Sequence, residues 1–263
     1  MERFARTDPE PGVAVLTMSR PEKLNAMDPT WFRELAEAMG TLGVDDDVRA
    51  VVLTGSGRAF SAGGDIDMFA GLAGDVTRVR PHLKLVYDAF CAVERCAVPV
   101  VAAVNGLAYG GGTELALACD VVLASEEARF ADTHARVGVL PGWGLSQRLP
   151  RLVGPGRAKE LSLTCNSLDA RQAEAWGLVN RVLPAGELLP AARALARDML
   201  SAPPDMLPAM KRLIDDGYAL PFAEAMALEP ERSLAHRARV TGEAVAERVD
   251  VVIARGKAQP GGG

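Results

Sequence analysis

Long apolar runs are missing from this chain. No stretch approaches the length needed to span a bilayer, and Met1 to Pro11 is polar and charged, not an apolar signal segment. No membrane partner is expected. Cysteine is scarce: the four, at positions 91, 96, 119 and 165, show neither CxxC nor metal-ligand spacing. Three sit in apolar surroundings and read as small core residues, and a reduced, cytoplasmic setting fits them. The three histidines belong to no His/Cys/Asp cluster with metal-site spacing, so no metal is expected; His82 and His236 read as surface residues. Basic charge is not in excess. A net charge of −5 argues against a nucleic-acid binder relying on bulk electrostatics, while leaving room for a local basic pocket for phosphates. No repeat of fixed period is present.

What is present is a large apolar fraction, 49% of 263 residues, enough for one large domain or a domain with a helical appendage. Strands read at 13–18, 50–54, 98–104 and 120–124, and helices at 28–43, 81–95, 112–119 and 156–163. Asp28 is placed to cap the first helix, with Pro29 at its first position. Strands alternating with helices and glycine turns imply an α/β fold over residues 1–186. From Glu187 the chain turns Ala-, Arg-, Glu- and Leu-rich with almost no strand signal, and helices are expected at 187–201, 204–217, 220–235 and 239–255. Residues 187–258 thus read as a helical region that self-associates through apolar faces. Residues 259–263, Gln-Pro-Gly-Gly-Gly, are expected to be a disordered tail.

The richest stretch runs from Val98 to Asp120. A short β-branched run is followed by Gly110-Gly111-Gly112 and then by an apolar helical segment. Glycines there bare backbone N–H groups and admit close approach, and a helix starting at them adds unpaired amides and a positive dipole end. That is a site for negative charge. One turn in sits a carboxylate, Glu114, ill-placed in a mere anion binder. The segment 50–66 repeats the plan: a strand, a loop containing Gly63-Gly64-Asp65, and Ile66 opening a helix. Two such units can each supply one backbone donor to an oxyanion hole, where one donor is worth roughly 3–4 kcal/mol in the transition state. An oxyanion pocket beside a proton-moving carboxylate suggests enolate chemistry. A dinucleotide site fits poorly, because the glycine run lacks the required spacing and downstream acid.

Four segments together resemble the enoyl-CoA hydratase/isomerase, or crotonase, superfamily: Arg20-Pro21-Glu22-Lys23-Leu24-Asn25-Ala26-Met27, Ala59 to Ile66, Asn105 to Asp120, and Gly138 to Arg151. They stand in the family's order with similar spacing over nearly the whole chain. The resemblance implies a spiral of ββα units with C-terminal helices that build a homotrimer or homohexamer. It implies an acyl-CoA thioester as substrate, with no other cofactor. Gly64 and Gly111 match the oxyanion-hole positions, and Glu114 matches the first of two catalytic glutamates, the one that activates water. Lys23-Leu24 and Ala62 match positions near the CoA adenine, Asp65 and Ile66 positions along the substrate channel, and Thr133 a substrate-binding position. Each has a plainer alternative: the glycines serve tight turns, Glu114 steadies a helix N-terminus, and Lys23 is an ordinary surface lysine.

The chain departs from the family at the second acid. Phe130-Ala131-Asp132-Thr133-His134-Ala135-Arg136-Val137 puts His134 where hydratases usually carry Glu. Imidazole titrates near neutrality and can hand a proton to the α-carbon, or it can simply hydrogen-bond the loop. Asp132 would face the other way in an extended segment; alternatively it holds the His134 ring or caps a turn. Trp143 and Leu145 stand where the family is usually small, and Trp143 either narrows the acyl pocket or packs in the core. Met68, Phe69, Leu72 and Tyr87 are candidates for the acyl side, or for core. The expected activity is reversible hydration of a trans-2-enoyl-CoA. The alternatives are double-bond isomerisation or another enolate reaction on a CoA thioester, and a non-catalytic acyl-CoA-binding oligomer.

Overall fold

The computed structural model describes residues 2–72 and 74–258. In chain order its elements are β1 (Phe4–Glu10), β2 (Gly12–Met18), α1 (Pro29–Leu42), β3 (Val48–Gly55), β4 (Ala59–Ser61), α2 (Ile66–Leu72), α3 (Val76–Glu94), β5 (Val100–Val104), β6 (Leu107–Tyr109) and α4 (Gly111–Ala118). These are followed by β7 (Val121–Ser125), β8 (Arg129–Ala131), α5 (His134–Val137), α6 (Leu145–Val153), α7 (Pro155–Thr164), β9 (Leu168–Asp169), α8 (Ala170–Trp176), β10 (Arg181–Leu183) and α9 (Ala185–Met199). The last three helices are α10 (Met206–Tyr218), α11 (Phe222–Arg237) and α12 (Gly242–Ala258). The residues expected to be a disordered tail, 259–263, lie outside the described part.

Two sheets organise the core. One has the order β1-β2-β3-β5-β7-β10, the other β4-β6-β8-β9. Each consecutive pair, β3–β4, β5–β6 and β7–β8, sends its first strand to the large sheet and its second to the small one. Equivalent strands then stack in parallel, with Val51 opposite Val100 and Val101 opposite Val121 in one sheet, and Ser61 opposite Ala108 in the other. This is the spiral of ββα units that the family resemblance implied. Side-chain alternation feeds both faces of the large sheet. Val51, Leu53, Val100, Ala102 and Val104 enter the main core with α1, α3 and α4. Val13, Val15, Ala50, Val52, Val101 and Ala103 point the other way, onto Leu188, Ala192 and Ala196 of α9.

Helix α1 shows how local signals set the packing. Asp28 accepts the Trp31 N–H at 2.8 Å, as the N-cap reading expected, and Pro29 opens the helix. Trp31, Leu35, Ala38 and Leu42 then fall on one buried stripe. Helix α9 differs from its expected place. It was grouped with the C-terminal helices on composition, yet it covers one face of the sheet. The first compact unit extends to Pro208, and the second begins at Ala209. Within the second unit, Arg232 of α11 pairs with Asp216 of α10 at 2.8 Å, and the apolar Phe222, Leu234 and Val252 are exposed.

Candidate active site

Three short strands deliver the site. Because β4, β6 and β8 lie side by side in parallel, with one register shift between β4 and β6, the chain leaves them at neighbouring points. It enters Ala62–Gly64 after β4, Gly110–Gly111 after β6 and Asp132–His134 after β8. Segments about seventy residues apart in sequence are thereby brought together. The glycine loops touch backbone to backbone. Gly63 holds φ +91°, and a Cβ there would stand 2.7 Å from the Tyr109 carbonyl oxygen and 3.0 Å from the Gly111 nitrogen. A Cβ on Gly112 would overlap the Ser61 carbonyl. Glycine is therefore needed for close approach, not only for turning.

Gly64 forms a parallel bridge with Met27. The Met27 N–H donates to the Gly63 carbonyl at 2.8 Å, and the Asp65 N–H donates to the Met27 carbonyl at 2.9 Å. In that pattern Gly64's own N–H points away from Met27. Gly111 opens α4, where an N–H has no intrahelical acceptor. The loop beneath is pinned by Asn25, fully buried at φ +54°. Its Nδ2 donates to the Ser56 and Ala59 carbonyls at 3.0 and 2.8 Å, and its Oδ1 accepts the Arg20 N–H at 2.9 Å. Asn is among the residues that tolerate this left-handed conformation. In the sequence Asn25 stands out only as part of the Arg20–Met27 motif.

Glu114 lies on the first turn of α4 and is completely buried. Its Oε1 accepts the backbone N–H groups of Trp143 and Leu145 at 3.1 and 3.0 Å. Its Oε2 has no hydrogen-bond partner among the described residues and faces His134 Nε2 at 3.7 Å. Burial pushes the Glu114 carboxyl up to about 7, against the lowering effects of the Leu145 N–H, His134 and the Trp143 N–H. On the other side of the ring, His134 Nδ1 meets Asp132 Oδ1 at 2.6 Å. Burial alone would lower the imidazole, but the Asp132 hydrogen bond and the Glu114 charge leave it raised above its ordinary value. Asp132 is itself held below the usual carboxylate range: burial works against ionisation, and hydrogen bonds from His134 and Ser162 outweigh it.

Of the alternatives open to Asp132, holding the His134 ring is the one the structure shows. Thr133 takes helical angles, φ −97° and ψ −2°, and starts the short helix α5. The turn swings the His134 ring to the same side as Asp132. The backbone N–H groups of Trp143 and Leu145 were missed as Glu114 partners, since nothing in sequence spacing marks an amide thirty residues away.

The remaining predicted residues divide. Leu24 and Ala62 meet through their backbones, the Ala62 N–H donating to the Leu24 carbonyl at 2.9 Å. Lys23 is solvent-exposed, and Thr133 lies beside Gly110, its Oγ1 3.1 Å from where a Gly110 Cβ would sit. The Asp65 carboxylate is already engaged, accepting from Arg20 Nη1 at 3.0 Å and from the Asp67 N–H at 3.1 Å. Ile66 is exposed. Trp143 is buried, its ring packed over Gly111 and edge-on to Phe32 at 5.3 Å. His82, read as a surface residue, is buried against Phe32 because α3 presses it inward.

Two cavities open within the first compact unit. One, of about 450 Å³, is lined by Met68, Leu72, Pro81, His82 and Leu85 with Asp67 and Arg78. The other, of about 220 Å³, is lined by Tyr87, Phe90, Cys91 and the Pro141–Gly144 turn. Met68 and Leu72 thus line one cavity and Tyr87 the other; the Phe69 side chain lies outside the described residues. Neither cavity is lined by Glu114 or His134.

Known proteins share this architecture. The sequence pattern described as enoyl-CoA hydratase/isomerase matches residues 8–241. A protein of Arabidopsis thaliana named probable enoyl-CoA hydratase 1, peroxisomal, is 38% identical over 95% of this chain and 92% of its own length. The short-chain-enoyl-CoA hydratase of Clostridium acetobutylicum is 38% identical over 83% of this chain and 84% of its own. The crystal structure of an enoyl-CoA hydratase from Bacillus anthracis superposes with a TM-score of 0.84 at 33% identity, covering 88% of this chain and 89% of that one. With the matched pattern spanning most of its length and the ββα spiral beneath it, the chain belongs to the enoyl-CoA hydratase/isomerase family.

Proposed function

We propose that this protein is an enoyl-CoA hydratase, adding water reversibly across the double bond of a trans-2-enoyl-CoA thioester. The observation that carries the reading is the Glu114 carboxyl. One oxygen is fixed by two backbone N–H groups, while the other is unpartnered and faces an imidazole 3.7 Å away. A carboxyl titrating near neutrality is suited to take and return a proton at physiological pH. The N–H groups of Gly64 and Gly111 hold the thioester carbonyl oxygen as it gains enolate character. Glu114 removes a proton from water as the water oxygen bonds to the β-carbon, and His134 Nε2 delivers a proton to the α-carbon. The proton gained by Glu114 then restores the imidazole, so one water is consumed and no net proton remains.

The substrate's CoA moiety runs past the joined backbones of Leu24 and Ala62, and the Thr133 side chain lies on the same approach. Asp65 and Ile66 contribute through the position of their backbone, since the Asp65 carboxylate is committed to Arg20. The cytoplasm as the site of action and a homotrimer or homohexamer as the working assembly belong to the same proposal. Neither nucleic acid nor membrane is a partner in it.

The test is the disappearance of conjugated enoyl-thioester absorbance when purified protein meets crotonyl-CoA, with Glu114→Gln alongside. Wild-type turnover that falls by about 10²–10⁴-fold in the variant is the expected result. A second reading, double-bond isomerisation, is favoured by the single mobile proton that Glu114 and His134 can share between two substrate carbons. Conversion of a 3-enoyl-CoA to the 2-enoyl product without hydration would establish it. Tight acyl-CoA binding with no turnover of either substrate would establish the non-catalytic oligomer.

A further inference from the structure

We propose that Asp132, backed by the Ser162 hydroxyl, is a positioning residue that turns His134 Nε2 toward Glu114 and holds the imidazole in the form that can carry a second proton. The kinetic part of this inference rests on the hydratase reading above. The geometric part does not.

Asp132 is buried at the end of β8. Its Oδ1 meets His134 Nδ1 at 2.6 Å and also accepts the His134 backbone N–H at 3.1 Å. The Ser162 hydroxyl on α7 also favours the ionised carboxylate. An ionised carboxylate only accepts, so Nδ1 must carry a proton and donate it. That assigns the ring: Nδ1–H toward Asp132, Nε2 toward Glu114 Oε2. Without Asp132 the ring has no described hydrogen bond to prevent the other tautomer.

The charge matters as much as the direction. Between Glu114 and His134 there is one mobile proton, placed either on the carboxyl or on Nε2. Hydration needs it on Nε2, leaving Glu114 ionised as the base. The Asp132 negative charge, set against the far side of the ring, favours that imidazolium–carboxylate form. Dehydration needs the reverse transfer through the same Nε2. The charged groups facing the ring are Asp132 and Glu114; Ser162 acts only through Asp132. Arg136, on the same short helix, turns away to the Thr164 carbonyl at 2.8 Å and Asn166 Oδ1 at 3.3 Å. An alternative role, accepting the His134 backbone N–H at the start of α5, is served equally well by Asn, so Asp132→Asn separates the two.

The experiment is a ¹⁵N and ¹³C NMR titration of the histidine side chains in the full-length protein, with His134→Ala to assign its resonances among three histidines. It is run on wild type, Asp132→Asn and Ser162→Ala, with the pH profile of crotonyl-CoA hydration beside it. Wild-type His134 should show the Nδ1–H tautomer when neutral and titrate above a free imidazole. Asp132→Asn should lower that titration and move the alkaline limb of kcat/KM to lower pH with it. KM should change little. Ser162→Ala should shift both in the same direction by less, and keeps the test alive should Asp132→Asn fail to fold. Unchanged His134 titration and tautomer in the folded variants would overturn the inference, as would a rate loss with both pH limbs in place. Wild-type protein that hydrates no enoyl-CoA would refute the hydratase reading alone, since the titration answers independently.

Discussion

Replacing Glu114 by Gln should stabilise the protein at alkaline pH while disabling it. The amide oxygen of Gln keeps an acceptor for the Trp143 and Leu145 N–H groups, and what disappears is a buried charge. In the folded protein the Glu114 carboxyl is pushed from its ordinary value of 4.5 up to about 7. A raised folded-state pKa means that the folded protein binds the proton more tightly than the unfolded chain. The group's contribution is therefore fully present below pH 4.5 and is lost as pH rises to about 7, beyond which no more is lost. Between pH 5 and pH 8 that window amounts to roughly 2–3 kcal/mol of stability lost by the wild type and not by Glu114→Gln. Urea unfolding at matched protein concentration, at pH 5 and pH 8, measures it directly. The gap between the two proteins should be small at pH 5 and widen at pH 8 in favour of the variant. Equal pH dependence in both would mean that Glu114 is solvated, and the buried-base argument would fail.

Two further outcomes follow from the packing of the loops. Asn25→Ala removes the three side-chain hydrogen bonds described above, one of them fully buried, and leaves a non-glycine residue at positive φ, so chemical denaturation should show a loss of about 2–4 kcal/mol. A loss below 1 kcal/mol would show that the loop does not depend on Asn25. Gly112→Ala drives a Cβ into the Ser61 carbonyl, which is backbone and cannot rotate aside. The glycine loops must then separate, and a shift approaching 1 Å at the oxyanion donors should lower kcat by about 10²-fold or more. Unaltered kcat would show that their contact is not needed.

Most of the longer elements were legible in the sequence because each carries a strong period or a continuous apolar run; β1, polar and charged over most of Phe4–Glu10, was not. The strands near 13–18, 50–54, 98–104 and 120–124 emerge within two residues of those limits, and α1 begins at its expected cap. The small sheet was not legible. Its strands β4, β6 and β8 have three residues each, too few for any alternation to register, and glycines stand close to both ends of β4 and β6. Yet their parallel stacking is what joins the two glycine loops to His134. The Asp132–His134 contact was one of the alternatives open in the sequence, and what decides for it is one residue, Thr133, taking helical rather than extended angles. Composition misplaced α9: a stripe of Leu188, Ala192 and Ala196 looks alike whether it faces a sheet or another helix. Asp65 was read for its neighbours in the chain, while its carboxylate answers to Arg20, forty-five residues earlier.

The account stands most directly on whether Glu114 moves the proton of water during addition to an enoyl thioester. Stopped or steady-state loss of the enoyl absorbance with crotonyl-CoA, comparing wild type with Glu114→Gln shown to be folded by circular dichroism, decides it. A fast wild-type reaction and a variant slower by about 10²–10⁴-fold is the predicted result. A folded Glu114→Gln protein that hydrates at the wild-type rate would contradict it.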